Sequence, residues 1–206
     1  MKRYPSIEKK INYDIAVVGF DKLDGSNIRA EWQRGKGFTR FGSRRRILDP
    51  ADETLGRAPD LIRAKYGRGL EEIFQEQGYD KVTAFFEYFG KKSFAGMHEG
   101  DDPTLDVVLI DVMPARVGLL APEDFLTTFN SVPLPPVLFR GRVTDEIAES
   151  IRDGSFPGMT FEGVVFKGRG GKKGKLPVMF KIKNRAWLDK LKTHCGDDQA
   201  LYERLA

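Results

Sequence analysis

Asp21-Lys22-Leu23-Asp24-Gly25-Ser26-Asn27 decides how this chain is read, because it carries a lysine around a sharp turn between two strand-forming runs. Upstream, Tyr13 to Phe20 is apolar enough for a buried strand. Downstream, Ser26, Ile28, Ala30 and Trp32 alternate with Asn27, Arg29 and Glu31, the period of two that a β-strand requires. Arg34-Gly35-Lys36-Gly37 then turns the chain into Phe38 to Gly42 and completes a hairpin. A lysine amine is almost wholly protonated at neutral pH, and it becomes a nucleophile when burial or nearby cations disfavour the ammonium. Asp24 and Gly25 supply the turn, and Ser26 and Asn27 set hydrogen-bonding groups beside Lys22. Alone, the tetrapeptide from Lys22 to Gly25 reads better as a polar turn in a hairpin protein.

The rest of the chain alternates helices with further strands. Asp60 to Gln77 predicts a helix with Ile62, Tyr66, Leu70, Ile73 and Phe74 on one face and Gly78 as its stop, and Gly67 and Gly69 are candidate breaks. Lys81 to Phe89 and Leu105 to Met113 read as core strands. Pro122-Glu123-Asp124 opens a short helix, with proline in the first turn and acids near its positive end. A second runs from a Thr144 cap to Gly154. Phe161 to Lys167 and Val178 to Lys183 predict a strand pair, and the tail from Arg185 is helical. Antiparallel strands interspersed with helices define an α+β fold.

Four charged residues stand out on these strands. In Val178-Met179-Phe180-Lys181-Ile182-Lys183, the period of two puts both lysines on one face. Glu162 lies in Phe161-Glu162-Gly163-Val164-Val165-Phe166, and Glu87 is flanked on its own face by Phe85 and Phe89. Buried glutamates and lysines are rare without partners. Two of each on apolar strands read as one polar site, although solvated edge lysines are common in antiparallel sheets. Such a set suits phosphoryl or nucleotidyl transfer: cations neutralise charge moving to the leaving group, and a carboxylate holds a divalent metal. Magnesium needs only one or two protein carboxylates when phosphate and water complete its shell.

In this order, these segments resemble the covalent nucleotidyltransferase superfamily of DNA ligases, RNA ligases and capping enzymes, and within it the RNA ligase 2 family. Lys22-Leu23-Asp24-Gly25-Ser26-Asn27 is similar to the first motif, Ser43-Arg44 to the next, Glu87 in FFEYFG to the third, Glu162 in FEGVVFKG to the fourth, and Lys181 and Lys183 in FKIKN to the fifth. The opening Tyr4-Pro5-Ser6-Ile7 also resembles the start of that family. The resemblance covers roughly residues 1 to 190. It implies an adenylation domain of antiparallel sheets with flanking helices, ATP-grasp-like, occupying residues 1–206 as a single domain without an OB or other C-terminal domain. It implies an ATP-dependent RNA ligase that uses ATP as AMP donor with Mg2+ or Mn2+.

The mechanism implied has three steps. Lys22 attacks the α-phosphate and keeps AMP, AMP passes to a 5′-phosphate, and a 3′-hydroxyl displaces it to seal nicked or broken RNA or an RNA/DNA duplex. Site residues carried over are Lys22 as nucleophile; Asp21, Leu23, Asn27, Arg44, Glu87, Ile110, Lys181 and Lys183 at the nucleotide; and Glu162 at the metal. Lys181 and Lys183 are expected to stabilise phosphate and to depress the Lys22 pKa. The family often has glutamate where Asp21 stands, and an aromatic residue in the segment that here reads Val108-Leu109-Ile110. The absent C-terminal domain leaves room for a separate partner protein that supplies it. Alternatives are a DNA ligase or another nucleotidyltransferase of the superfamily, and a non-catalytic nucleic-acid binding module on the same fold.

Composition is compatible with these expectations. The net charge of +4 is mild, but Arg40, Arg44, Arg45 and Arg46 cluster, as do Lys167, Arg169, Lys172, Lys173 and Lys175. These runs either track a phosphate backbone or form solvated loops. No apolar stretch approaches the roughly 20 residues of a membrane-spanning helix, the first residues have no apolar signal core, and Cys195 is the single cysteine. The expectation is a reduced, cytoplasmic protein. His98 and His194 read as surface residues and Trp187 as packing for the terminal helix. Asp111 reads equally as a ligand contact or a structural acid.

Overall fold

A computed structural model describes residues 1–49, 51–90, 105–170 and 176–206. The alternating segments build two four-stranded antiparallel sheets. In one, β2 (Gly25–Gln33) pairs with β3 (Gly37–Ser43) and β4 (Lys81–Phe89), and β4 pairs with β5 (Asp106–Pro114), giving the order β3-β2-β4-β5. Its apolar face, with Ile28, Ala30 and Trp32 from β2 and Ala84, Phe86 and Tyr88 from β4, packs under α1 (Ala58–Glu76). The predicted face of α1 is the buried one, and the helix runs unbroken through Gly67 and Gly69. Burial of Tyr66 and Leu70, both inaccessible to solvent, outweighs about 1 kcal/mol of helix propensity lost at each glycine.

The second sheet has the order β6-β1-β7-β8, from β1 (Val17–Asp21), β6 (Val137–Gly141), β7 (Gly163–Gly168) and β8 (Val178–Lys183). α3 (Asp145–Asp153) covers it with Ala148 and Ile151. The Thr144 side chain caps α3 through Ile147 N, and Gly154 ends it in a left-handed conformation. α2 (Pro122–Thr128) buries Phe125 in the core of the first sheet. At the other end, α4 (Arg185–Cys195) and α5 (Gln199–Leu205) pack together around Trp187, Leu191 and Cys195. Trp187 therefore packs the terminal helices as expected, and Cys195 is buried.

Two expectations change and one strand is added. The strand expected from Tyr13 starts at Val17, because Asn12 accepts from Asp14 N at 3.1 Å in a local turn. β6 is a short edge strand that hydrophobic periodicity does not reveal. Glu162 stands just before β7 rather than within it, since Gly163 has φ +141 and a Cβ there would lie 2.1 Å from Ile182 O.

Only Lys22, Leu23 and Asp24 link β1 in one sheet to β2 in the other. Phe85, Met179 and Ile110 meet between the sheets with Tyr4 and Ile7 of the N-terminal segment. That segment is held to β8 by Glu8 N to Met179 O at 3.1 Å and Lys181 N to Glu8 O at 3.0 Å.

Candidate nucleotide site

The crossing between sheets opens onto a cavity of about 750 Å3, which Asp21, Lys22, Leu23, Asn27, Arg44, Glu87, Ile110, Glu162, Lys181 and Lys183 all line. The ten residues singled out from sequence therefore converge, although they come from five strands and three connecting segments.

Backbone pairing sets their positions. Lys22 N donates to Gly163 O at 2.9 Å, one step beyond the last β1–β7 register pair, Asp21 with Val164. This brings Lys22 Nζ to 2.7 Å from Glu162 Oε2, while Glu162 Oε1 lies 2.9 Å from Lys183 Nζ. The Glu162 side chain is only 4% exposed and is shared by two ammoniums. Asn27 faces Glu87 across the β2–β4 ladder. Gly25 is required beside them, because a Cβ would lie 2.5 Å from Tyr88 O.

The charges settle in an order opposite to the sequence expectation. Burial pulls Lys22 downward, but Glu162 and then Glu87 outweigh it, so its pKa stands above the ordinary lysine value. The depressed amines are the other two. Burial, reinforced by Lys183 and Lys22, lowers Lys181 to about 7, and burial lowers Lys183 to about 8 against the opposing pull of Glu162. Burial raises Glu87 to about 8, opposed by Lys22. In this state Lys22 is an ammonium held by its carboxylate partner.

Lys181 Nζ donates to Ala206 O at 2.8 Å and Lys183 Nζ to Leu205 O at 2.9 Å, so the end of α5 supplies both lysines with oxygens. Lys183 Nζ also lies 3.7 Å from the Trp187 ring centroid.

Arg44 and Arg45 are exposed at the cavity mouth. Arg46 pairs with Asp52, and Arg40 lies 3.7 Å from Glu31. Lys167 does not join a solvated basic run. It is 4% exposed, lies 2.5 Å from Asp111 Oδ2 and donates to Ile110 O at 2.8 Å. Tyr4 Oη donates to the same Asp111 oxygen. This buried Tyr4–Asp111–Lys167 cluster is the main polar feature that sequence reasoning missed at the cavity. Its signal was a lysine and an aspartate each ending an apolar run. Arg169 reaches Asp124 on the surface, His194 is exposed, and Lys172, Lys173, Lys175 and His98 lie outside the described residues.

A divalent cation fits the donors without forming a protein-only cage. Glu162 and Glu87 face one cavity, and the Asn27 Oδ1 acceptor is buried with no hydrogen bond among the described residues. No group of three acidic, histidine or cysteine side chains converges among the described residues. Such a cation would complete its shell with phosphate and water.

The fold is shared with solved structures of an RNA ligase and a DNA ligase. A Naegleria gruberi RNA ligase variant solved with ATP and Mn superposes with TM-score 0.61 at 19% identity, over 87% of this chain and 52% of that one. The same ligase with AMP and Mn gives TM-score 0.63 at 18% identity, over 92% and 58%. An Aquifex aeolicus protein described as an ATP-dependent DNA ligase gives TM-score 0.66 at 20% identity, over 100% and 57%. The chain thus spans a little over half the length of these structures. No family model matches the sequence, and no curated protein does. No described helix is long and apolar enough to cross a membrane.

Proposed function

We propose that the chain is an ATP-dependent RNA ligase, or the adenylyl-transferring part of one, with Lys22 as the nucleophile. The observation that carries this reading is the shared carboxylate: Glu162 lies within 2.9 Å of both Lys22 and Lys183 at the end of a cavity that also holds Glu87, Asn27 and Lys181. Lys22 Nζ attacks the ATP α-phosphorus, the bond to the bridging oxygen breaks, and pyrophosphate leaves. Before attack the ammonium must lose its proton. Glu162 holds that proton on Lys22, and a divalent cation bound by Glu162 would weaken that hold and let the proton pass to solvent. Glu162 would hold Mg2+ or Mn2+, which supplies charge neutralisation at the triphosphate.

Lys181 and Lys183 offer ammonium donors for the AMP phosphate. Glu87 and Asn27 offer polar contacts to the ribose side, and Ile110 a flat apolar contact for the base. Arg44 at the mouth suits the phosphates of nucleotide and strand. The likeness of five motifs to the RNA ligase 2 family supports RNA ends, nicked or broken, as the acceptor.

The test has two parts. Incubation with Mg2+ and α-labelled ATP is expected to label the protein, and Lys22→Ala to abolish the label. A 5′-phosphorylated nick in RNA, DNA and hybrid duplexes is expected to be sealed most readily where RNA supplies the ends. Labelling from GTP instead of ATP, or labelling that survives Lys22→Ala, refutes the reading.

A further inference from the structure

Asp21 faces Val164 in the β1–β7 register, yet its carboxylate is bonded to Thr160, four residues earlier in the chain. Thr160 N donates to Asp21 Oδ1 at 3.0 Å, and the Thr160 hydroxyl donates to Oδ2. Residues 160–164 therefore curl back across the end of β1, and Glu162 and Gly163 sit inside that curl. Asp21 is 5% exposed and its own N–H is held by Pro136 O at 3.0 Å, so the anchor is fixed on both sides. Of the two residues that must meet, Lys22 directly follows the anchor Asp21 and Glu162 lies two residues past Thr160.

We propose that Thr160 is a positioning residue for adenylyl transfer, clamping the Asp21 carboxylate so that Lys22 and Glu162 stay aligned beyond the last rung between β1 and β7. The proposal rests on the ligase reading. It gives the Asp21 side chain a task of alignment, with both oxygens turned to the chain itself. Opening the clamp frees the curl to swing Glu162 away from Lys22, while leaving the ribose and base sides of the cavity, built on β4 and β5, in place.

Single-turnover labelling of the protein by α-labelled ATP, measured across ATP concentrations, tests this. For Thr160→Val the rate constant at saturating ATP is expected to fall about ten- to a hundredfold with half-saturation moved less than about twofold, as for a misplaced reacting group. Thr160→Ser, which keeps the hydroxyl, is expected to restore most of the rate. Asp21→Asn provides a second route to the same loss should Thr160→Val fold poorly. A role in folding alone would lower the labelled fraction and leave the rate constant unchanged, and that result overturns the proposal. So does an equal loss in Thr160→Val and Thr160→Ser, or a Thr160→Val rate equal to the parent's. A parent chain with no Lys22-dependent label removes the ligase reading and this proposal with it, whereas a normal parent with an unaffected Thr160→Val removes this proposal alone.

Discussion

Replacing Glu162 by glutamine should destabilise the protein strongly at neutral pH and less at alkaline pH. The substitution keeps the shape but leaves Lys22 and Lys183 facing each other without the carboxylate now 2.7 and 2.9 Å away. Removing one partner of a buried pair costs about 3–5 kcal/mol. Proton release limits part of the loss: Lys183 already stands at about 8 in the fold, so shedding its charge there costs only about 1.4 kcal/mol at pH 7 and nothing at pH 9. The folded protein already holds Lys183 at about 8, so it binds fewer protons there than the unfolded chain, and stability gained on that account grows as pH rises from about 8 toward 10.5. Glu162→Gln removes the carboxylate that raises Lys22 and Lys183, so the variant sheds these protons at lower pH than the parent and its deficit should narrow from about 3–5 kcal/mol at pH 7 by about 1 kcal/mol or more at pH 9. Urea unfolding followed by the fluorescence of the buried Trp32 and Trp187 measures both values. A deficit below about 1 kcal/mol at pH 7, within the range of an exposed pair, refutes the reasoning, as does one that is equal at the two pH values.

Other sites give sharp expectations. Glu87 is raised to about 8 by burial, so between its unfolded value near 4.5 and 8 the folded state keeps a proton that the unfolded state has lost, and stability falls as pH rises through that window; Glu87→Gln should flatten the fall in urea titrations from pH 5 to 8. Lys167→Met strands Asp111, which is 1% exposed, and should cost about 3–5 kcal/mol, while Lys167→Met with Asp111→Asn should recover most of that loss in thermal melts. Gly163→Ala must place a Cβ 2.1 Å from Ile182 O at a positive φ; at least about 2 kcal/mol of lost stability is expected, together with loss of the Lys22 adduct. ATP phosphates docked on Lys181 and Lys183, as proposed, would displace the oxygens of Ala206 and Leu205, so amide exchange in α5 should quicken when ATP is added.

Much of the fold was legible because its elements keep strict periods. The buried face of α1, the hairpin of β2 and β3, and the Thr144 and Gly154 boundaries of α3 follow from local residue order alone. β6 did not, because its five partly exposed residues show no alternation and an apolar run of only three, Val137-Leu138-Phe139. The site residues could be found one at a time as charges on apolar strands, but two of their properties are set by contacts distant in sequence. Lys22 is kept protonated by a glutamate 140 residues away, where neighbouring lysines alone suggested the reverse. Lys167 looked like part of a basic loop until β5 brought Asp111 against it.

The passage from β1 to β2 makes position 22 a crease in the molecule. Each sheet is a stiff plate stitched by its own ladder, and between them lie the packing of Phe85, Ile110 and Met179 and the bonds of Lys167 on β7 to Asp111 and Ile110 O on β5. Because Lys22 is tied to Gly163 by its backbone, the amine rides with the plate that carries Glu162, Lys181 and Lys183. A slide of one plate over the other would then change its distance to Glu87 while leaving Glu162 close at hand. A molecule that gripped both plates at once would set that gap by its own length, and the reach of the amine would become a property of what is bound.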